Sequence, residues 1–120
     1  MYFFDTYALY EIAKGSDSYA IFRQHNSIST TLLNLYELYY VLSKDGEEKL
    51  AELFFEKLLP FCLDITAEDI KLAAKFRLKE IKKKFSYIDA LGYTIALRRN
   101  VVFLTGDDAF SDFINVKFVK

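Results

Sequence analysis

Short β-prone runs alternate with longer stretches of helical periodicity along this chain. "YFFD" at residues 2–5 precedes the helical pattern "TYALYEIAKG", and "SISTT" at 27–31 precedes "LLNLYELYYVLSKDG". Near the other end, "VVFLT" follows the helical pattern "FSYIDALGYTIALRRN". Strands that alternate with helices usually pair in parallel, with helices covering both faces of the sheet. The sequence therefore predicts an α/β fold with a mainly parallel central sheet flanked by helices on both faces.

The middle of the chain adds two helices and one extended piece. "EEKLAELFFEKLL" has helical spacing up to Pro60, and "FCLDI" at 61–65 is interpreted as extended. "TAEDIKLAAKFRLKEIKKK" begins with the capping-box spacing of Thr66 and Asp69. This pattern predicts an amphipathic helix, whose apolar face carries Ile70, Ala73, Ala74, Leu78 and Ile81. A short helix near "DDAFSDF" and a strand at "NVKFV" complete the predicted elements.

Length and composition limit the protein class. The 120 residues suit one domain, so we expect residues 1–120 to form a single unit. No apolar stretch reaches the roughly 18 residues of a membrane span, and the start lacks the basic segment of a secretory signal. We therefore expect a protein of the cytoplasm. The single cysteine, Cys62, excludes a disulfide within the chain, and we interpret it as a small core residue.

The basic residues form one local cluster in a chain whose net charge is -1. A near-neutral protein offers no broad positive field to a nucleic acid, so any such contact must be local. Two interpretations of the cluster remain open: it touches phosphates, or it is the solvated end of a helix. Its members are Lys79, Lys82, Lys83, Lys84, Arg98 and Arg99.

Three acidic residues lie in apolar surroundings. Asp5 follows "YFF", Glu37 lies inside "LLNLYELYYVL", which we expect to be buried nearly all round, and Asp89 lies inside "FSYIDALGYTIAL". A buried carboxylate needs a partner or a shifted pKa. One cation bound by all three carboxylates would neutralise their charge, and carboxylates are ligands that suit Mg²⁺ or Mn²⁺. Zinc suits the chain poorly, because His25, interpreted as a surface loop residue, and the cysteine are far apart in the sequence.

Helix capping is the alternative explanation for two of these acids. Asp89 has capping-box spacing with Ser86, and Asp5 can cap the helix behind it. Capping does not explain Glu37, which lies inside its helix. Asp107, in "FLTGDDAF", stands at the end of a second predicted strand. Ligands of open α/β sheets bind at the carboxyl ends of the strands, where Asp5 also lies.

The ordered set of four acids resembles the PIN-domain family of ribonucleases. It is closest to the small VapC-type toxins of toxin-antitoxin pairs, and the resemblance spans essentially the whole chain. The motif "LTGDDAF" matches the family's pattern of Thr, any residue, Asp, two residues and Phe through Thr105, Asp107 and Phe110. Asp108 lies outside that frame, so we expect it to cap or charge the following short helix.

The resemblance implies a Mg²⁺- or Mn²⁺-dependent endoribonuclease that hydrolyses RNA phosphodiester bonds. It also implies a small antitoxin protein as partner and a homodimer. The residues that match the family's acidic positions are Asp5, Glu37, Asp89 and Asp107, with Thr6 and Thr105 as supporting residues. Because close carboxylates repel one another, at least one should have a raised pKa. The alternative function is a catalytically weak or inactive PIN-like module that binds RNA or protein.

Overall fold

Four parallel strands form the centre of the molecule. The computed structural model describes residues 1–23 and 28–120, so His25 and Ser27 lie outside the described residues. The strands are β1 (Tyr2–Phe4), β2 (Ile28–Ser29), β3 (Val102–Thr105) and β4 (Val116–Phe118). They are ordered β2-β1-β3-β4, and every neighbouring pair is parallel. The predicted parallel sheet is therefore confirmed.

Five α-helices surround the sheet within the described ranges. They are α1 (Thr6–Lys14), α2 (Leu32–Lys44), α3 (Glu48–Leu58), α4 (Ala67–Lys79) and α5 (Tyr87–Arg98). Short 3₁₀ segments lie at Asp17–Phe22, Leu59–Phe61, Ile81–Lys83 and Asp108–Phe110. The predicted ends of α1 and α5 are confirmed, because Gly15 and Asn100, which follow these helices, both adopt the left-handed conformation. None of these helices is long and apolar enough to span a membrane.

Successive side chains of each strand point to opposite faces of the sheet, so a hydrophobic core lies on each face. Phe3 and Phe103 stack with their ring centres 5.8 Å apart, in the core that α4 and α5 close. Phe4 and Leu104 point to the other face and pack among the buried side chains of α1, α2 and α3. Helices therefore cover both faces, as the sequence predicted.

The extended piece at 61–65 is not a strand of the sheet. Its only strand-like pairing in the described chain is an isolated bridge between Thr30 and Cys62. The Thr30 carbonyl accepts from the Leu63 N–H at 2.8 Å, and the Thr30 N–H donates to the Phe61 carbonyl at 3.2 Å. Two hydrogen bonds beyond the edge of β2 are too few to extend the ladder. Cys62 is half-buried against the core of α1, α2 and α3.

The apolar face of α4 lies on the surface of the molecule. Ile70, Leu78 and Ile81 are exposed by 56%, 71% and 65%. Ala73 alone of the predicted apolar face is buried, and Phe76 packs beside it in the core. An amphipathic helix ordinarily packs through its apolar face, so this exposed stripe is a candidate contact surface.

Asp69 is completely buried, although its neighbours in the sequence "AEDIK" include Glu68 and Lys71. It forms ion pairs with Arg98 and with Arg99, the latter at 3.2 Å. Burial by itself would raise the pKa of Asp69. Hydrogen bonds from the Thr66 N–H and the two guanidinium groups outweigh that effect and hold the pKa at about 2. Both arginines of the basic cluster are therefore paired with Asp69, although Arg98 is itself exposed, and the lysines of the cluster are exposed as well.

The helix α2 is not buried all round, so that prediction is wrong. Leu35, Leu38 and Leu42 face the core, but Tyr36 and Tyr40 are 67% and 60% exposed. Glu37 lies between these two faces and is half-buried. The apolar sequence of α2 therefore includes a second exposed surface.

Candidate active site

The carboxyl ends of β1 and β3 bring the first and last candidate acids to one edge of the sheet. The two strands are parallel neighbours, with Phe4 in register with Leu104. Asp5 continues this pairing, because its N–H donates to the Leu104 carbonyl at 3.2 Å. Asp107 follows the end of β3 by two residues. The sheet thus places both acids where the fold class usually binds ligands.

Both oxygens of the Asp5 carboxyl group have partners in the protein. The side chain is 4% exposed, and its Oδ1 accepts from the Ala8 N–H at 2.9 Å, which caps α1. Its Oδ2 accepts from the Thr105 hydroxyl at 2.5 Å. The same hydroxyl oxygen accepts from the Asp107 N–H at 3.0 Å. Thr105 therefore links the two acids.

Asp107 and Asp108 differ in environment. Asp107 is half-buried and caps the 3₁₀ segment, because its Oδ1 accepts from the Ala109 N–H at 3.0 Å. Asp108 lies in the first turn of that segment but is exposed, and it pairs with Lys120 at 2.5 Å. Asp107, rather than Asp108, therefore provides the cap, while Asp108 only adds charge to the first turn.

Asp89 enters the site from the first turn of α5. It forms the predicted capping box: its Oδ2 accepts from the Ser86 N–H at 3.0 Å, and its own N–H donates to the Ser86 hydroxyl at 3.0 Å. The capping explanation is therefore correct for Asp89, as it is for Asp5. It accounts for only one carboxylate oxygen of Asp89, so it leaves room for a second role.

The three aspartates influence one another electrostatically. Burial raises the pKa of Asp5 from 3.8 to about 7, against the lowering effect of hydrogen bonds from Thr105 and Ala8. The charges of Asp89 and Asp107 raise it further. Burial also raises the pKa of Asp89, and the charge of Asp107 adds to it. Two pKa values are therefore raised, but burial is the larger cause, and repulsion between the acids adds to it.

Glu37 lies on α2 and is not among the acids whose charges act on Asp5 or Asp89. One turn earlier on the helix, the Asn34 side-chain amide donates to the Thr6 hydroxyl at 3.1 Å, directly behind Asp5. Asn34 is 2% exposed, and it also accepts from the Thr31 hydroxyl at 2.6 Å. The sequence analysis missed Asn34, although a polar residue inside "TTLLNLYELYY" was a signal for it. Asn34 ties α2 to the start of α1, while Glu37 is its neighbour on the half-exposed side.

The donor chemistry of the site fits a hard divalent cation. Within residues 1–23 and 28–120, no three acidic, histidine or cysteine side chains are close enough together to hold a metal ion as they stand. Capping uses one oxygen each of Asp89 and Asp107, and no donor in this part of the chain binds their second oxygens. Unpartnered carboxylate oxygens beside a carboxyl group with a raised pKa are ligands of the type that Mg²⁺ and Mn²⁺ prefer.

Several solved structures share this fold. VapC20 of Mycobacterium tuberculosis, a sarcin-ricin loop cleaving toxin, has a TM-score of 0.81 and 16% identity over 98% of this chain and 99% of that chain. A toxin-antitoxin complex from Klebsiella pneumoniae has a TM-score of 0.75 and 17% identity over 98% of this chain and 96% of its own. VapBC2 of Rickettsia felis, bound to a DNA fragment from its promoter, has a TM-score of 0.72 and 21% identity over 99% and 98%.

Sequence comparison gives the family directly. None of the curated proteins matches the chain at a significant level. The family model of the PIN domain matches residues 2–115, which include all four predicted acids and the strands β1, β2 and β3 but not β4. The chain therefore belongs to the PIN domain family.

Proposed function

We propose that this protein is a metal-dependent endoribonuclease that hydrolyses RNA phosphodiester bonds, and the toxin of a type II toxin-antitoxin pair. The observation that carries the proposal is the electrostatic coupling of Asp5, Asp89 and Asp107 at the carboxyl edge of a PIN-family sheet. Its fold is similar to that of VapC20, a toxin that cleaves the sarcin-ricin loop. We propose the cytoplasm as its place of action and residues 1–120 as one PIN-like domain.

Each acid has a proposed role in this site. Asp5 and Asp89 are the main metal ligands, Asp107 completes the acidic pocket directly or through water, and Glu37 adds a ligand from α2. Thr105 holds the Asp5 carboxyl group through its hydroxyl. Thr6 is held in turn by Asn34, which keeps α2 beside the start of α1.

Metal binding and protonation should be coupled at Asp5. A bound Mg²⁺ or Mn²⁺ would supply a water of lowered pKa and a positive charge beside the scissile phosphate. With a pKa of about 7, Asp5 carries a proton in a large fraction of the metal-free molecules at neutral pH. It must release that proton to act as a ligand, so metal affinity should increase with pH.

The direct test is cleavage of structured RNAs in Mg²⁺ or Mn²⁺. We expect Asp5→Asn to lose at least about tenfold in rate, because it removes a ligand charge. Asp108→Asn is the matched control, since Asp108 is exposed and paired with Lys120. Equal rates for wild type and Asp5→Asn would refute the role of Asp5. No cleavage of any RNA by the wild type would count against the nuclease.

A binding module without turnover is the alternative function. The four acids argue against it, because recognition of RNA or protein alone does not require a cluster of carboxylates. Calorimetry with Mn²⁺ separates the two functions. Binding that strengthens as pH rises from 6 to 8 supports the nuclease, and the absence of binding at millimolar Mn²⁺ supports the binding module.

Two protein partners follow from the same proposal. The similar structure from Klebsiella pneumoniae is a toxin-antitoxin complex. We propose a small antitoxin for this chain as well. The test is co-expression with the product of a neighbouring gene, which should bind the chain and suppress RNA cleavage. A product that binds without changing cleavage would contradict its role as an antitoxin.

We propose that a second copy of the chain packs on the exposed apolar face of α4. Leu78 and Ile81 line a surface cleft of about 490 Å³ with Tyr87. A neighbouring cleft of about 280 Å³ continues from Tyr87 past Ile70 to Leu33. Sedimentation should show a dimer that Leu78→Asp disrupts. The control is the equivalent change at Leu53, which is exposed by 58% on α3 and lines neither cleft. A dimer broken only by the Leu53 variant would move the interface to α3.

A further inference from the structure

Both backbone polar groups of Val119, in the segment behind β4, are hydrogen-bonded. The Val119 N–H donates to the Thr105 carbonyl at 2.9 Å. The Val119 carbonyl accepts from the Tyr19 hydroxyl at 2.6 Å. Tyr19 belongs to the 3₁₀ segment Asp17–Phe22 and is 0% exposed. A buried phenol thus holds the segment that lies against the end of β3.

Thr105 extends these contacts to the acids of the site. Its carbonyl receives the bond from Val119, while its hydroxyl donates to Asp5 and accepts from the Asp107 N–H. Thr105 is itself 0% exposed, so water does not compete for these groups. The hydrogen-bonded chain therefore runs from Tyr19 through Val119 and Thr105 to both Asp5 and Asp107.

Packing at Gly106 adds a steric constraint to the same loop. A Cβ atom at this position would lie 2.1 Å from Cε1 of Tyr7 and 2.5 Å from the Val119 carbonyl oxygen. The loop that carries Asp107 therefore lies in direct contact with the acceptor of the Tyr19 hydroxyl. A displacement of the Val119 carbonyl would change the space available to Gly106, and with it the position of Asp107.

The Tyr19 phenol remains a hydrogen-bond donor throughout the neutral pH range. Burial raises its pKa above the ordinary value of 10, and the negative charge of Asp5 raises it further. The phenol is therefore protonated, and its influence on the site comes from geometry.

We propose that Tyr19 is a positioning residue of the acidic site, which sets the separation of Asp5 and Asp107 through Val119 and Thr105. The metal-binding part of this inference rests on the proposed nuclease function. Tyr19 contacts neither acid by a hydrogen bond of its own, so its effect is transmitted by the backbone of Val119. The relevant variant is Tyr19→Phe, which removes the hydroxyl and keeps the ring.

Tyr93→Phe is a matched control. Tyr93 is 2% exposed, and its hydroxyl donates to the Ile114 carbonyl at 2.7 Å. The two variants thus remove the same type of bond, from a buried phenol to a backbone carbonyl. Only the bond of Tyr19 leads to Thr105 in the described chain. Comparison of the two variants therefore separates positioning of the site from a general loss of stability.

The first measurement is amide hydrogen exchange of the metal-free protein by NMR. In Tyr19→Phe we expect the Val119 and Asp107 amides to exchange at least about tenfold faster than in the wild type. In Tyr93→Phe we expect the exchange rates of both amides to change only as much as the global stability of the protein changes. In the wild type, the exchange rates of the two amides should depend on denaturant concentration in the same way, because the hydrogen bonds of both amides open together. Different dependences, or equal effects of the two variants, would overturn the proposal. The wild-type measurement needs no variant to fold.

The second measurement is Mn²⁺ affinity by calorimetry. We expect Tyr19→Phe to bind Mn²⁺ at least about fivefold more weakly than Tyr93→Phe, because the acids are less well positioned. Equal affinities would overturn the role of Tyr19 in the site. If the wild type binds no Mn²⁺, the nuclease function fails, while amide exchange still decides whether Tyr19 positions Asp107.

Discussion

Replacement of Asp5 by Asn tests the electrostatics of the site through protein stability. The pKa of Asp5 is about 7 in the folded protein and 3.8 in an ordinary aspartate. Between these values, the folded protein holds a proton that the unfolded chain has lost. The free energy of unfolding contributed by Asp5 therefore falls as pH rises from about 4 to about 7 and is level above that window. The difference between the two pKa values amounts to about 4 kcal/mol, at about 1.4 kcal/mol per pKa unit.

The asparagine side chain keeps the shape of Asp5 without its charge. Its oxygen can still accept from the Ala8 N–H, and its amide can donate to the Thr105 hydroxyl oxygen. We therefore expect metal-free Asp5→Asn to be more stable than wild type by up to about 4 kcal/mol at pH 8. The two proteins should have equal stability below about pH 3, where the wild-type carboxyl group is protonated in both the folded and the unfolded state.

Urea unfolding at several pH values, with a chelator present, measures this difference. Asp108→Asn is the control, because Asp108 is exposed and should show no such pH dependence. Addition of Mn²⁺ should stabilise the wild type more than Asp5→Asn. A variant that is less stable than wild type at pH 8, or a difference that does not change with pH, would refute the reasoning.

Three further substitutions test other parts of the structure. Asp107→Asn should reduce RNA cleavage more than Asp108→Asn, and the reverse order would show that the wrong residue of the pair was chosen. Gly106→Ala should lower the free energy of unfolding by at least about 2 kcal/mol, since its Cβ would lie 2.1 Å from Tyr7; unchanged stability in urea would contradict this packing. Asp69→Asn should cost about 2 kcal/mol at pH 7, because its pKa is about 2 rather than 3.8. Wild type loses this contribution as pH falls from about 4 to 2, so a penalty that persists at pH 2 would exclude an electrostatic origin.

The order of the elements could be predicted from the sequence because its signals are local. Periodicity within each segment and the left-handed positions of Gly15 and Asn100 mark the helices and their ends. The piece at 61–65 was predicted as extended from its apolar residues. Whether such a piece joins the sheet depends on pairing with a distant segment, and within the described residues it forms one isolated bridge, between Thr30 and Cys62.

Burial that depends on distant partners could not be predicted in this way. Asp69 has polar neighbours in sequence, and its burial is compensated by arginines about thirty residues later. The helical spacing of apolar residues predicted the apolar face of α4. The spacing does not show whether this face is covered by the chain itself or by another molecule.

The candidate site was predictable where acids follow strands. Asp5 and Asp107 stand behind β1 and β3, and parallel pairing brings them together. Glu37 was selected as a candidate because its neighbours in the sequence are apolar. These neighbours predicted a buried side chain, whereas Glu37 is half-buried. The link from Tyr19 to Val119 had no sequence signal, because it joins residues 100 positions apart through a backbone carbonyl.

The caps formed by the three aspartates have a consequence for the evolution of such sites. Asp5 and Asp107 each begin a helical segment as its N-cap, Asp89 completes the capping box that Ser86 begins, and all three contribute charge to the pocket. Asparagine and serine cap about as well as aspartate, whereas alanine costs about 1 kcal/mol at such positions. A homologue that no longer cleaves RNA is therefore free to replace these acids by Asn or Ser without losing its fold. Glu37 caps no helix, so its loss would be the earlier sign that selection for catalysis has ended.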